Sequence, residues 1–228
     1  MHNWMKQLLL GLDERELIEL PALQCRVHRA LETPLLGLQT RAAAAGFDLR
    51  IASSYRSFER QRMIWNNKAL GLRPVLDSAG APLDLSLMSE RDIVLAILRW
   101  SALPGASRHH WGTDIDVYDA SRIAPDYQLQ LTVAETEGDG PFAKFHCWLS
   151  EELCTSTGDF FRPYAQDCGG IAPEPWHLSY APLANQFARE YSESLLREQL
   201  EVTELQLKNT VLENLSEIYQ RFICISKP

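Results

Sequence analysis

The amino-acid sequence predicts an α+β fold, with a small, mostly antiparallel sheet flanked by helices and a helical C-terminal extension. Short runs at 47–51, 114–118 and 176–179 alternate apolar and polar residues, which is the period of a half-buried strand. Longer segments with apolar residues at helical spacing separate these runs. From about Leu183 the chain becomes charged and leucine-rich. We therefore expect one domain over residues 1–182 and a helical extension over residues 183–228.

The predicted helices have recognisable beginnings and ends. Residues 13–45 carry apolar positions at helical spacing, interrupted by prolines, and predict two helices. Ser57 can cap a helix that runs to about Leu70, because a serine side chain accepts hydrogen bonds from first-turn N–H groups. The capping box of Ser89 and Asp92 begins another helix. Residues 142–157 predict a further one.

The extension carries one apolar stripe at helical spacing. Its members are Leu200, Leu207, Val211, Leu215, Ile218 and Phe222. The heptad pattern of a coiled coil is not sustained, so the stripe is expected to pack on the domain. A homodimer through these C-terminal helices is the alternative.

Composition narrows the classes of partner. The chain has 228 residues, 46% of them hydrophobic, and a formal net charge of -8. This negative charge argues against nucleic acid and against anionic lipid surfaces as binding partners. No window resembles a membrane span or a secretory signal. The five cysteines are scattered without a C-x-x-C pair, and we expect most of them to be buried free thiols. These features predict a cytoplasmic protein, with action in the periplasm as the alternative.

Two separated motifs contain the residue types of a catalytic metal site. In "SRHHWGTDIDVYD", a turn through Gly112 followed by a strand can bring His109 and Asp116 to one ion. In "EPWH", His177 can supply a third ligand, and catalytic zinc sites use three such ligands and keep one position open. Glu174 then provides a carboxylate outside the ligand set, which the activation of a water molecule requires.

A third motif adds a cation. Arg56 lies in "SSYRS", and its permanent charge could hold a carboxylate or a developing oxyanion.

The three motifs in this order resemble the zinc D-alanyl-D-alanine carboxypeptidases of the VanY type. They are "SSYRS" with the glutamine that follows, S-x-H-x-x-G-x-x-x-D and E-x-W-H, and the resemblance covers roughly residues 35–182. The wider group also includes the zinc-containing hedgehog signalling domain. The resemblance implies hydrolysis of a C-terminal D-alanyl or similar peptide bond, with peptidoglycan stem peptides or muropeptides as substrates.

The resemblance also implies a role for each matching residue. His109, Asp116 and His177 would hold one zinc ion per chain, and Glu174 would act as general base and acid. Arg56 would steady the tetrahedral intermediate or the terminal carboxylate of the substrate. The remaining candidate substrate-binding residues are Ser107, Gln61, Tyr55, Trp176 and Asp114.

Asp114 departs from the family pattern, which has a small residue such as alanine at this position. If the strand alternates, Asp114 points to the metal side, where it could orient a ligand imidazole, attract a substrate ammonium group or perturb the site.

Alternative functions remain beside the D,D-carboxypeptidase. An L,D-carboxypeptidase or a lysin-type endopeptidase would use the same chemistry on another bond. A non-catalytic zinc-containing binding or signalling module would need neither Glu174 nor Arg56.

Overall fold

Two antiparallel sheets and a set of short helices make up the chain in the computed structural model, which describes residues 2–78, 80–155 and 159–224. The strands are β1 (Leu17–Leu20), β2 (Cys25–His28), β3 (Leu49–Ser53), β4 (Asp114–Asp119), β5 (Phe160–Phe161) and β6 (His177–Tyr180). The helices are α1 (Asn3–Leu9), α2 (Glu32–Ala44), α3 (Phe58–Ala69), α4 (Glu90–Leu98), α5 (Val133–Thr136), α6 (Ala143–Thr155), α7 (Ala181–Glu190), α8 (Glu193–Val202), α9 (Lys208–Glu213) and α10 (Leu215–Ile218). The α+β fold class predicted from the sequence is confirmed.

Two helices were predicted within residues 13–45, and the prediction of the first is wrong, because β1 and β2 form an antiparallel hairpin there. The chain reverses through Gln24, whose φ of 51° is left-handed and incompatible with a continuing helix. Across the hairpin, Glu19 pairs with Arg26, and their side chains form an ion pair of 3.2 Å. Over so short a segment, the spacing of the leucines fits both the helical and the strand period. The pairing between the two strands therefore determines that the segment is a hairpin. The second predicted helix is α2.

The four-stranded sheet has the order β3-β4-β6-β5, and every neighbouring pair is antiparallel. Its two faces differ in chemistry, as the alternating pattern predicted. One face packs against α2 and α6 through a buried apolar cluster that includes Ile115, Val117 and Leu178. The opposite face carries the polar residues of β4 and β6, so the candidate site is built on a sheet with a firm apolar backing.

A second apolar cluster joins the N-terminal helix, α4 and the C-terminal helices. The stripe predicted from the sequence lies here: Leu200, Val211, Leu215, Ile218 and Phe222 are buried, and Leu207 is half-buried against them. The stripe is therefore covered within the chain, and a homodimer would need another face of these helices. Residues 225–228 of the predicted extension lie outside the described residues.

Helix ends follow the capping predictions closely. Ser57 Oγ accepts a hydrogen bond of 3.2 Å from Arg60 N at the start of α3. Ser89 Oγ accepts one from Asp92 N at the start of α4. α6 covers most of the helix predicted over residues 142–157, of which residues 156 and 157 lie outside the described part of the chain.

Two further sequence predictions concern exposure. Most cysteines were expected to be buried, and this is wrong: Cys25 is buried, whereas Cys147, Cys154, Cys168 and Cys224 are exposed. Cys154 and Cys224 lie at or just beyond helix ends and Cys168 lies in a loop, which are positions commonly found at the surface. Within residues 2–78, 80–155 and 159–224, no helix has both the length and the apolar character needed to cross a membrane.

Candidate functional site

His109 lies in a short 3-10 turn, Arg108–Trp111, immediately before β4. Gly112 ends this turn with a φ of 67°, and the left-handed conformation directs the chain into the strand. The Nδ1 atom of His109 lies 3.0 Å from the carbonyl oxygen of Ser54. A hydrogen bond donated from Nδ1 to that carbonyl leaves the Nε2 lone pair free, 3.4 Å from Asp116 Oδ2.

Asp116 and His177 face each other across neighbouring strands. They are direct register partners in the β4–β6 ladder. The Nδ1 atom of His177 lies 3.3 Å from Asp116 Oδ1, but the contact does not have hydrogen-bond geometry, and Oδ1 is buried without a hydrogen-bond partner among the described residues. A buried carboxylate oxygen without a donor is costly unless a cation neutralises it.

The residues fit a divalent metal ion. One ligand atom from each of His109, Asp116 and His177 lies within 4.8 Å of the others, and all three side chains are buried. Two imidazole nitrogens and one carboxylate oxygen form a donor set typical of catalytic zinc. The sheet register and the turn at Gly112 thus bring together the three residues that the sequence predicted as ligands.

The electrostatics of the three residues also favour a cation between them. Burial lowers the pKa of His109 to about 4, so its imidazole is neutral and available as a ligand. Burial also lowers the pKa of His177, but the hydrogen bonds to Asp114 and Glu174 and the nearby charge of Asp116 outweigh burial and raise that pKa well above its usual value. The surroundings of His177 therefore favour positive charge, which a metal ion at Nδ1 would supply in place of a proton.

Glu174 lies beside the proposed ligands, in the loop that leads into β6. Its Oε2 atom is 3.1 Å from His177 Nδ1, and its backbone N–H donates to the carbonyl oxygen of Tyr164 at 2.9 Å. Burial raises the pKa of Glu174, and the charge of Asp116 adds to this, while His177 and Arg56 act in the opposite direction. A carboxylate held in this way has the affinity for protons that a general base needs.

Arg56 is a cation whose charge acts on both Asp116 and Glu174, and Gln61 holds it in place. Arg56 Nη1 donates to Gln61 Oε1 at 2.9 Å, and Nη2 donates to Ser53 Oγ at 3.0 Å. Gln61 is fully buried, and its amide nitrogen donates to the carbonyl oxygen of Ala102 at 2.7 Å. Burial lowers the pKa of Arg56, and the charges of Asp116 and Glu174 oppose that shift. Gln61 thus orients the guanidinium rather than presenting its own amide to the cavity.

A cavity of about 700 Å³ opens over these residues. Its lining includes Arg56, Ser107, His109, Asp116, Glu174, Trp176 and His177. Its lining also includes a loop with Leu76, Ser78 and Gly80, and the segment that leads into the start of α5, with Gln130, Leu131, Thr132, Val133 and Ala134. Tyr55 lies elsewhere, with its hydroxyl donating to Gly11 O at 3.3 Å and its ring beneath the guanidinium of Arg26. Asp114 is 0% exposed and is not part of the cavity lining.

Two residues of the site were not singled out from the sequence. Tyr164 places its ring edge-on to His177, with centroids 4.9 Å apart, and lines the cavity. Arg108 forms a buried ion pair of 2.8 Å with Asp114. The sequence does contain a signal for Arg108, since an aspartate on the inner face of a strand needs a nearby cation. Nothing comparable identifies Tyr164, which reaches the site through a loop.

Solved structures with a similar fold include several peptidases. VanYB in complex with D-alanine-D-alanine is 21% identical with a TM-score of 0.52, and the match covers 83% of this chain and 90% of that one. A vancomycin resistance D,D-pentapeptidase VanY variant in complex with Zn(II) is 23% identical with a TM-score of 0.50, covering 79% and 89%. The LdcB LD-carboxypeptidase is 19% identical with a TM-score of 0.51, covering 86% and 77%. At these identities the likeness shows the fold.

Sequence comparison gives the family. Two uncharacterised proteins of Haemophilus influenzae are related: one is 44% identical over 101 residues, covering 42% of this chain and 68% of that protein, and the other is 31% identical over 123 residues, covering 53% and 92%. The family model described as "VanY: D-alanyl-D-alanine carboxypeptidase" matches residues 24–183, which include all three motifs and both strands of the candidate site. On this match over most of its length, the chain belongs to the VanY family of D-alanyl-D-alanine carboxypeptidases.

Proposed function

We propose that the protein is a zinc-dependent peptidase that removes the C-terminal D-alanyl, or a similar, residue from peptidoglycan-type peptides. The observation that carries this proposal is the convergence of His109, Asp116 and His177 within 4.8 Å in a chain of this family. Glu174 and Arg56 border the same cavity and supply the two groups that hydrolysis needs in addition to a metal. A binding module that used zinc only for structure would have no need of either.

The proposed mechanism assigns one task to each side chain. Zinc, when bound, supplies a Lewis acid that polarises a carbonyl group and lowers the pKa of water to about 7. Glu174 accepts a proton from the attacking water and donates it to the leaving amine, for which its raised pKa suits it. His109 contributes a neutral nitrogen, and Asp116 contributes the negative charge that keeps a cation in place.

Arg56 stabilises negative charge on the substrate. Gln61 and Ser53 fix two of its nitrogens, so the guanidinium needs little reorganisation when an anion forms or binds beside it. Its position in the cavity lining suits either the developing oxyanion or the terminal carboxylate of the peptide. The cavity, of about 700 Å³, is large enough for the end of a stem peptide.

The proposal is tested by measuring bound metal and hydrolysis products on the same preparation. The full chain is purified, its zinc content is measured by elemental mass spectrometry, and defined pentapeptide and tetrapeptide stems are digested and weighed. We expect one zinc per chain and loss of a terminal D-alanine from the pentapeptide. Release from the tetrapeptide instead would assign an L,D-carboxypeptidase, and cleavage within the peptide would assign an endopeptidase.

The first prediction concerns Glu174. Replacement Glu174→Ala removes the proton acceptor but none of the proposed ligands, so kcat should fall by roughly 10²–10⁴-fold while the zinc content stays at one per chain. Glu151→Ala is a matched control, because Glu151 is an exposed carboxylate on α6. Near-normal turnover of Glu174→Ala would contradict the mechanism, and a wild-type protein without bound zinc would contradict the proposed function.

A further inference from the structure

We infer that Asp114 is a positioning residue for the metal ligand His177, and that Arg108 holds Asp114 in that role. This inference rests on the proposed function only in assuming that a metal ion binds at His177. It assigns the residue that departs from the family pattern a task in metal affinity rather than in substrate binding.

The location of Asp114 sets its available partners. It lies on β4 two residues before Asp116, so both carboxylates project from the same face of the strand. Its register partner on β6 is Ser179, two residues beyond His177. Asp114 is 0% exposed, and a carboxylate in such a place persists only if donors surround it.

Four donors reach Asp114. Oδ1 lies 3.0 Å from His177 Nε2 and accepts a hydrogen bond of 2.8 Å from Arg108 Nε. Oδ2 accepts hydrogen bonds from Thr113 Oγ1 at 2.7 Å and from Ser179 Oγ at 3.1 Å. Both oxygens are therefore occupied by the protein, and Asp114 does not compete with Asp116 as a ligand.

The contact at His177 Nε2 fixes the state of the other ring nitrogen. An ionised carboxylate can only accept, so Nε2 carries the proton and the Nδ1 lone pair points towards Asp116 and Glu174. A charged acceptor also makes the imidazole a stronger electron donor than a neutral acceptor would. The two histidines differ in this respect, since the outer nitrogen of His109 contacts a backbone carbonyl.

Arg108 keeps the carboxylate charged and immobile. The Arg108 guanidinium forms an ion pair of 2.8 Å with Asp114 Oδ1, which compensates the charge of a carboxylate that has no contact with solvent. Arg108 is itself buried, donates to Ser179 Oγ at 2.5 Å, and places its guanidinium 4.8 Å from the Trp111 ring centroid. Both Arg108 and Asp114 therefore make further contacts besides the ion pair between them, and these contacts restrict their movement.

Attraction of a substrate ammonium group by Asp114 does not fit the structure. A substrate ammonium group cannot reach it, because Asp114 has no exposed surface and lies outside the cavity lining. Its charge is already matched by Arg108 at 2.8 Å, which leaves little field to attract a second cation.

The second prediction tests the inference through zinc affinity, measured by competition with a chromophoric chelator. Asp114→Ala, which restores the small residue usual in the family, should weaken zinc binding by roughly 10–100-fold, the range typical for loss of a residue that orients a ligand. The isosteric Asp114→Asn keeps an acceptor oxygen without the charge and should give a smaller loss. The absorption spectrum of the cobalt(II)-substituted proteins should shift in the same order.

Asp119→Asn is the matched control. Asp119 is also a 0% exposed carboxylate on β4, but it accepts hydrogen bonds from Asp48 N and Ser121, away from the ligands. Zinc affinity should be unchanged in this variant, and urea unfolding of the metal-free proteins separates loss of folding from loss of affinity. If Asp114→Ala does not fold, Asp114→Asn alone decides the question.

Three results would overturn the inference. The first is wild-type zinc affinity in the Asp114 variants, which would leave the proposed function intact if hydrolysis persists. The second is a raised KM with unchanged zinc affinity, which would assign Asp114 to substrate binding. The third is an equal loss in Asp119→Asn, which would reduce the effect to general damage to β4. A wild-type protein that binds no zinc would overturn both proposals together.

Discussion

His146 is a buried histidine on α6 that takes no part in the candidate metal site. Its side chain is 5% exposed, and its Nε2 atom has no hydrogen-bond partner among the described residues. Its Nδ1 atom lies 3.4 Å from a nitrogen of Arg162, a weak contact that a protonated ring would turn into repulsion. Burial and the charge of Arg162 together lower the pKa of His146 to about 3. The folded state therefore favours the neutral form of this ring.

The third prediction follows from that preference. The unfolded chain protonates His146 near pH 6.5 and the folded chain only near pH 3, so the folded state loses stability as the pH falls through this window. The slope from one such group is at most about 1.4 kcal/mol per pH unit. His146→Leu should reduce the slope of unfolding free energy against pH between pH 6.5 and 4, measured by urea denaturation.

His2→Gln is the control for this comparison, because His2 is exposed near the N-terminus. Its pH slope should match that of the wild type. Equal slopes for His146→Leu and the wild type would show that the ring at position 146 does not contribute to acid sensitivity.

At the scale of an element, the turn before β4 depends on Gly112. This residue has a φ of 67°, and its carbonyl oxygen accepts a hydrogen bond of 2.9 Å from His28 N. A Cβ atom there would lie 2.7 Å from His28 N and 2.6 Å from Leu17 Cδ2. The hairpin of β1 and β2 thus packs directly on the turn that connects His109 to Asp116, and there is no room for a side chain between them.

The fourth prediction compares two glycine replacements. Gly138 also has a positive φ, 56°, but a Cβ there would meet nothing within 4 Å. Gly138→Ala should lower the unfolding free energy by about 1–2 kcal/mol, from backbone conformation alone. Gly112→Ala adds the overlap with His28 and should cost about 1–3 kcal/mol more. Thermal or urea unfolding of both variants measures the difference. Equal losses of unfolding free energy would show that the β1–β2 hairpin moves to make room for the added methyl group.

Strands β4 and β6 could be predicted because each shows the alternation of a strand within its own short segment: Ile115 and Leu178 alternate with polar neighbours. The β1–β2 hairpin could not be predicted, because its turn contains neither a glycine nor an Asn-Gly pair. Its pairing, in which Glu19 lies opposite Arg26, is visible only in the structure. The three proposed ligands could be picked out from the sequence as residue types at fixed spacing. The residues around them, such as Arg108, which pairs with Asp114, and Tyr164, which contacts the His177 ring, are brought there by tertiary packing that spacing in the sequence does not encode.

At the scale of the whole molecule, the C-terminal helices share an apolar cluster with the rest of the chain. Leu215 and Ile218 of α10 are fully buried in the cluster that contains Trp65 and Ile97. Polar contacts accompany this packing: Trp65 Nε1 donates to Gln206 O at 3.0 Å. Arg221 Nε donates to Gly169 O at 2.6 Å, in the loop that leads to Glu174. The C-terminal helices therefore help support the loop that carries the proposed base.

The fifth prediction tests that support through stability. Leu215→Ala removes a side chain that is 0% exposed and should lower the unfolding free energy of the whole chain by about 2–5 kcal/mol in one cooperative transition. Val202→Ala, at a position 79% exposed, should change it by no more than about 0.5 kcal/mol. A separate early transition for Leu215→Ala, with the rest of the protein unaffected, would show that the C-terminal helices unfold independently.

The direct pairing of Asp116 with His177 has a consequence for assembly of the sheet. Side chains alternate between faces, so sliding β6 by a single residue would place Leu178 at the proposed metal position and turn His177 into the apolar layer. A metal ion held by both residues, as proposed, would fix the register of two strands that are distant in sequence. Chelation would remove that constraint and leave the alignment of β4 with β6 to the backbone ladder, the contacts of Asp114 with His177 and Ser179, and hydrophobic packing.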